Sequence, residues 1–238
     1  MLHNKKEFYS GVGLMVAFLV VLVILFSPVF PGPNDRNQNG LNYLDGLYNS
    51  ISKGSAYYIP DLKKKAAKQT GNVITASVVM KDEKQARETA PLFMKSGAMA
   101  DVTKNVTGEW EIKVSGDLGS ILTNCLEDAD QMFNNKGEGV KTKYAMDERL
   151  SLYNWWMALK ALNKDLNKQK KFAETKFIGD INKRAVECAY NYYGVDPQNI
   201  GDKWGIVVFS LAFYVVYTMW YGYSILFMFE GWGLKLEH

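Results

Sequence analysis

The sequence predicts a membrane protein in which two transmembrane helices bracket an α+β soluble domain. Three observations predict it. Long apolar segments sit near both ends, Val12 to Phe30 and Gly205 to Phe229, and the second carries no formal charge. The stretch between them is polar enough to bring the mean hydropathy down to −0.18. Inside that stretch, a zone of strand-like alternation gives way to long runs with helical periodicity.

The N-terminal segment opens on Lys5 and Lys6 and is closed by Pro28, Pro31 and Pro33. A signal peptide has an apolar core of roughly 7–15 residues and a small-residue cleavage site. This run is longer and leads into Phe30-Pro31-Gly32-Pro33, so it reads as a retained span. About 20 apolar residues cross a bilayer, and both segments meet that length. Residues 1–11 and 230–238 are then short tails. Lys5, Lys6 and Lys235 place both of them in the cytoplasm by the positive-inside rule, with residues 31–203 outside. In a bacterium this means the inner membrane with a periplasmic domain. Leu236-Glu237-His238 reads as the remnant of a cloning tag.

Within the domain, residues 34–40 form a polar loop. Leu41, Leu44, Leu47, Tyr48 and Ile51 mark an amphipathic helix that stops near Gly54, and a second helix starts at Asp61 just past Pro60. Val73 to Val79 is β-rich. A helix follows from Asp82 to about Ser96, with Pro91 as an expected kink or break. Ala98 to Thr103 and Glu109 to Ser115 are two strands; in the second, Trp110, Ile112 and Val114 alternate with charged residues. Asp117 caps a helix whose Leu118, Ile121, Leu122, Cys125, Ala129 and Met132 share a face. Residues 72–134 thus give the order β-α-β-β-α of a ferredoxin-like layer short of its last strand. Residues 142–193 read as a long antiparallel helical hairpin. Its first arm, from about Thr142 to Lys170, carries Leu152, Trp155, Leu159, Leu162 and Leu166, and would be roughly 40 Å long. The second arm carries Ile178, Ile181, Ala185, Cys188 and Tyr192 before Gly194 ends it.

Few chemistries fit these residues. The only histidines are His3 and His238, which removes histidine-based triads and the usual zinc sites. No phosphate loop or dinucleotide fingerprint is present. A net charge of +3 spread over the chain does not point to nucleic acid. Glu127, Asp128 and Asp130 read as a solvated helix face. The hexapeptide Asp35 to Gly40 matches the first half of a calcium loop, with ligands at Asp35, Asn37 and Asn39, but the nearest closing acid, Asp45, is one position early. Calcium is thus a weak expectation and no other cofactor is indicated. Cys125 and Cys188 both fall on apolar stripes. They read as two buried thiols, with a disulfide between them as the alternative in an oxidising compartment. Trp155 belongs to the core stripe, whereas Tyr153 and Trp156 lie off it.

One pattern bears on partners. Ser210, Tyr214, Tyr217, Tyr221 and Ser224 recur at helical spacing along the second span, so their hydroxyls form one polar seam. A mid-bilayer hydroxyl needs a partner. The rings could pack on the first span, the seam could join another copy or another membrane protein, or Tyr214, Tyr217 and Tyr221 could line a pore. The sequence therefore predicts a non-enzymatic inner-membrane scaffold or accessory subunit, homo-oligomeric and in contact with lipid. An oligomeric channel or transport component is the alternative, and a truncated periplasmic sensor the third.

Overall fold

The structure, a computed structural model, describes residues 2–33 and 36–234. Asp35 and the residues from Lys235 onward, with their tag-like end, lie outside the described residues. The chain is mostly helical, with a small two-sheet α+β region, and divides into two compact units: Met1–Ile51 with Pro197–His238, and Ser52–Asp196.

In the first unit, α1 spans Lys5–Phe26. The Asn4 side chain accepts from the backbone N–H groups of Lys6 and Glu7, so the helix begins a full two turns before Val12. It ends before Phe30 because Ser27, preceding Pro28, is held extended (φ −80°, ψ 146°). Phe30–Pro31 (β1) then pairs antiparallel with Asn37–Gln38 (β2). Helix α2, Gly40–Ser55, starts where Asn39 Oδ1 accepts from Asn42 N at 2.8 Å.

The second unit begins with α3, Ile59–Ala67, which has proline in its first turn, where a missing N–H costs nothing. Strand β3, Val73–Val79, leads to α4, Glu83–Lys95, capped by Asp82. Pro91 does not break α4: Ala90, Leu92 and Phe93 are buried on either side of it, and that packing holds the helix through the lost hydrogen bond. Strands β4, Met99–Lys104, and β5, Trp110–Asp117, complete an antiparallel sheet of order β3-β5-β4, with Ile112 between Val78 and Val102. This is a split β-α-β arrangement. Ile74, Ala76 and Val78 on β3, Ala100 on β4 and Ile112 and Val114 on β5 are buried on one sheet face. Helix α5, Leu118–Phe133, is capped by Asp117 and buries the residues expected of it.

The hairpin differs from its expected outline. Helix α6, Glu138–Tyr144, ends at Ala145 in the left-handed region (φ 52°), and Asp147 caps a new helix, α7, Glu148–Lys168. At about 1.5 Å per residue α7 is roughly 30 Å long, shorter than the sequence spacing implied. The return arm is α8, Phe172–Ile181, a π turn at Asn182–Val186, and α9, Glu187–Tyr192. The π turn adds one residue to a helical turn and rotates the face beyond it. Ala189 therefore takes the buried position that the unbroken period assigned to Cys188, which is half-buried.

Two buried charged side chains, Lys53 and Asp128, tie elements of this core together. Lys53 is 1% exposed; its ammonium donates to Asn135 Oδ1 (3.0 Å) and to the carbonyls of Tyr192 (3.0 Å) and Val195 (2.6 Å), over the Phe133 ring. Burial pulls its pKa below the ordinary lysine range. Asp128, expected on a solvated face, is fully buried instead. It accepts from Lys143 Nζ (2.6 Å), the Tyr144 hydroxyl and Trp155 Nε1 (2.8 Å), tying α5 to α6 and α7. Burial, then the Asp128 charge, push the Tyr144 phenol well above its ordinary value.

Helix α10, Ile200–Trp232, is capped by Asn199 and closed by Gly233 (φ 95°). It extends about a turn beyond each end of the expected Gly205–Phe229 segment. Replacing Lys143 by Met strands the Asp128 carboxylate in the core. The expected cost is about 3–5 kcal/mol, read as a lower urea midpoint, and an unchanged midpoint would remove the ion pair from the core's account.

Candidate functional site

Two features stand out, one in each unit. In the first unit α1 and α10 run antiparallel, each long and apolar enough to cross a membrane by length and composition. Close approach is set by two glycines. A Cβ on Gly11 would lie 2.7 Å from Met228 N and 2.8 Å from Ser224 O, and one on Gly231 would collide with the Phe8 backbone. Farther along, Trp220 Nε1 donates to Leu14 O at 3.1 Å.

The hydroxyl seam is divided among three surroundings. Ser210 meets the Tyr48 hydroxyl of α2 at 2.6 Å and donates to Val207 O. The rings of Tyr217 and Tyr221 pack on Phe18 at 4.4 and 5.2 Å between centroids, and buried Ser224 donates to Tyr221 O. Tyr214 points away from α1 and is 69% exposed, with no hydrogen-bond partner for its hydroxyl among the described residues. Around it the outer surface is apolar: Val16, Leu19, Val20 and Val23 on α1, and Val208, Leu211, Val215 and Met219 on α10, are all exposed.

The second feature is a cleft of about 450 Å³ in the other unit, between β3, the β4–β5 turn and α7. Its walls are Ser77 and Val79, Asn105 and Thr107, Glu109 and Glu111, and Ala161, Lys164, Asp165 and Lys168 of α7. The strand pattern places Glu109 and Glu111 on the sheet face opposite the buried Ile112 and Val114. Asp165 is committed to the fold: it accepts from Ser77 N at 3.1 Å and Gln169 Nε2 at 2.8 Å. The turn is locked by Asn105, whose Oδ1 accepts from Thr107 N and Glu109 N. Asn105 Nδ2 and Thr107 Oγ1 donate in turn to Glu109 and lower its carboxyl below 4.5. Glu111 accepts from the Ser77 hydroxyl.

The remaining sequence candidates are dispersed. For the calcium hypothesis, Asp35 lies outside the described residues; Asn37 is in β2, Asn39 caps α2, and Asp45 accepts from Asn49 Nδ2 at 3.0 Å. Among the described residues no cluster of three acidic, histidine or cysteine side chains is placed to hold a metal. Cys125 and Cys188 are both free thiols, so the alternative disulfide is not formed, and burial raises both pKa values. Trp155 is fully buried as expected, while Tyr153 and Trp156 pair at 5.9 Å with Lys160 above the Trp156 ring. The sequence reading missed the cleft. Its alternation marked Glu109 and Glu111 as a polar face, but nothing in it placed α7 beside β3.

Two outcomes follow. Gly11→Leu should lower the melting temperature of the helix pair in mild detergent, and unchanged melting would place the contact elsewhere. Because the folded Glu109 carboxyl titrates below its unfolded value, its stabilising contribution is present above pH 4.5 and is lost as pH falls through the folded value. Asn105→Ala should return that titration toward 4.5, followed by carboxyl chemical shifts. No family model, curated protein or solved structure matches this chain.

Proposed function

We propose that the chain is a non-enzymatic scaffold or accessory subunit of the bacterial inner membrane, anchored by α1 and α10. Residues 31–203 lie on the periplasmic side and both tails lie in the cytoplasm. The observation that carries this reading is the bare apolar outer surface of the helix pair. None of the most apolar window of α10 is buried within the chain, and only 11% of that of α1. The core helix of a soluble protein would be covered by its own chain, so lipid or another membrane helix is the fitting environment.

Self-association through α10 is part of the proposal. Tyr214 supports it, being a mid-helix hydroxyl that faces outward in an apolar field. A hydroxyl in hydrocarbon gains from a partner on another helix, by about 0.6–2 kcal/mol. Tyr217 and Tyr221 contribute through their rings to the contact with α1 instead.

The chain should stay with the membrane pellet after alkaline carbonate washing and elute as an oligomer in mild detergent. Release by carbonate would overturn the anchoring, and a monomer would overturn the self-association. Tyr214→Phe should weaken assembly by roughly 1 kcal/mol, while Tyr217→Phe leaves it unchanged. Cysteines placed in either tail should be labelled only from the cytoplasmic side.

A further inference from the structure

The cleft contains a charge that the fold does not use. Glu111 is only 7% exposed, and its one hydrogen-bond partner among the described residues is the Ser77 hydroxyl. It takes part in no ion pair among the described residues, unlike the fully buried Asp128 with its Lys143. Opposite Glu111 in the sheet register is Thr103, whose Oγ1 is buried without a partner. A buried carboxylate with no cation is costly, and a residue kept for stability alone would be apolar or paired.

The opposite wall carries the complementary charge. Lys164 and Lys168 lie one helical turn apart on α7 and line the same cleft. Neither takes part in an ion pair or side-chain hydrogen bond among the described residues. The other acids are already engaged: Asp165 by Ser77 N and Gln169, Glu109 by Asn105 and Thr107. What the cleft leaves without a hydrogen-bonded or ion-paired cation is therefore the buried Glu111 carboxylate, with two unpaired ammonium groups on the α7 wall whose charge also reaches Glu109, and Val79 and Ala161 as apolar lining. Its volume falls in the range of small-molecule sites, roughly 300–1,000 Å³.

We propose that this cleft binds a small zwitterion of the free amino-acid class, its ammonium on Glu111 and its carboxylate on Lys164 and Lys168. The ammonium supplies the cation that Glu111 lacks. The paired lysines hold the acid group and set the direction in which the ligand lies. A neutral sugar would leave Glu111 unneutralised, and an anion would meet it as a like charge.

The test is calorimetric titration of the purified full chain, in mild detergent, with each standard L-amino acid in turn. At least one should bind the wild-type chain. Glu111→Gln should weaken that binding at least about tenfold, since a charge-assisted contact becomes a neutral one. The same variant should melt at an equal or higher temperature, because it removes an unpaired buried charge. Lys164→Gln with Lys168→Gln should also weaken binding, and the corresponding primary amine without its carboxylate should bind the wild type more weakly than the amino acid. If Glu111→Gln fails to fold, the lysine double variant decides the matter, as both lysines are on the surface of α7. Absence of binding by every amino acid, binding indifferent to both sets of substitutions, or equal binding of the amine alone would overturn the proposal.

Discussion

The second unit depends on how the outer edge of β3 is closed. A strand at the rim of a sheet presents backbone groups that another chain can pair with. Here α7 lies along that rim and answers it with side chains: Asp165 accepts from Ser77 N, and Gln169 Nε2 donates to Thr75 O at 2.9 Å. A fourth strand would have occupied the same place. Because a helix does so, the sheet and the helical hairpin share one core, in which Trp155 packs edge-on to Phe93. A helix cylinder also cannot follow a twisted strand along its whole length. The gap that results, next to the β4–β5 turn, is the polar cleft. Edge protection and cleft thus have the same origin.

The helix pair obeys a different constraint. On the proposed membrane reading, apolar side chains alone would not drive these helices together, because the surrounding lipid chains are equally apolar; close backbone approach and polar contacts would. Gly11 and Gly231 provide the approach, and Trp220 a polar contact, its Nε1 donating to Leu14 O. The glycines lie toward the N-terminus of α1, and Trp220 meets it near its middle. Next along the pair Phe18 meets Tyr217 and Tyr221 with larger side chains, and Tyr48 reaches Ser210 from α2.

Much of this was legible in the residues. The strand alternation around Trp110, Ile112 and Val114, the caps at Asp82 and Asp117 and the apolar stripe from Leu152 to Leu166 are local signals, and each element formed where they pointed. Three kinds of information were not local. The break at Ala145 depends on a left-handed residue that carries no glycine signature, so α7 was drawn too long. The π turn shifts a helical phase without any change in composition, which put Cys188 where Ala189 belongs. Asp128 looked solvated because its neighbours Glu127 and Asp130 are acidic, yet its partners come from α6 and α7, far along the chain. The cleft was hidden for the same reason. Glu111 and Lys164 are ordinary charged residues until the topology sets them on facing walls.

Lys53 has a mechanical consequence. Its ammonium joins the first residues of the second unit to the carbonyls of Tyr192 and Val195, which are among its last. The unit's entry and exit are therefore fastened to each other by this buried side chain, next to the Gln198 N to Ser50 O hydrogen bond just beyond them. Pulling the two ends apart would load that fastening before any strand or core helix felt the force. It would also open the contacts one after another, like a zip, and not all at once in shear. The clasp makes the unit a closed loop whose first and last residues meet.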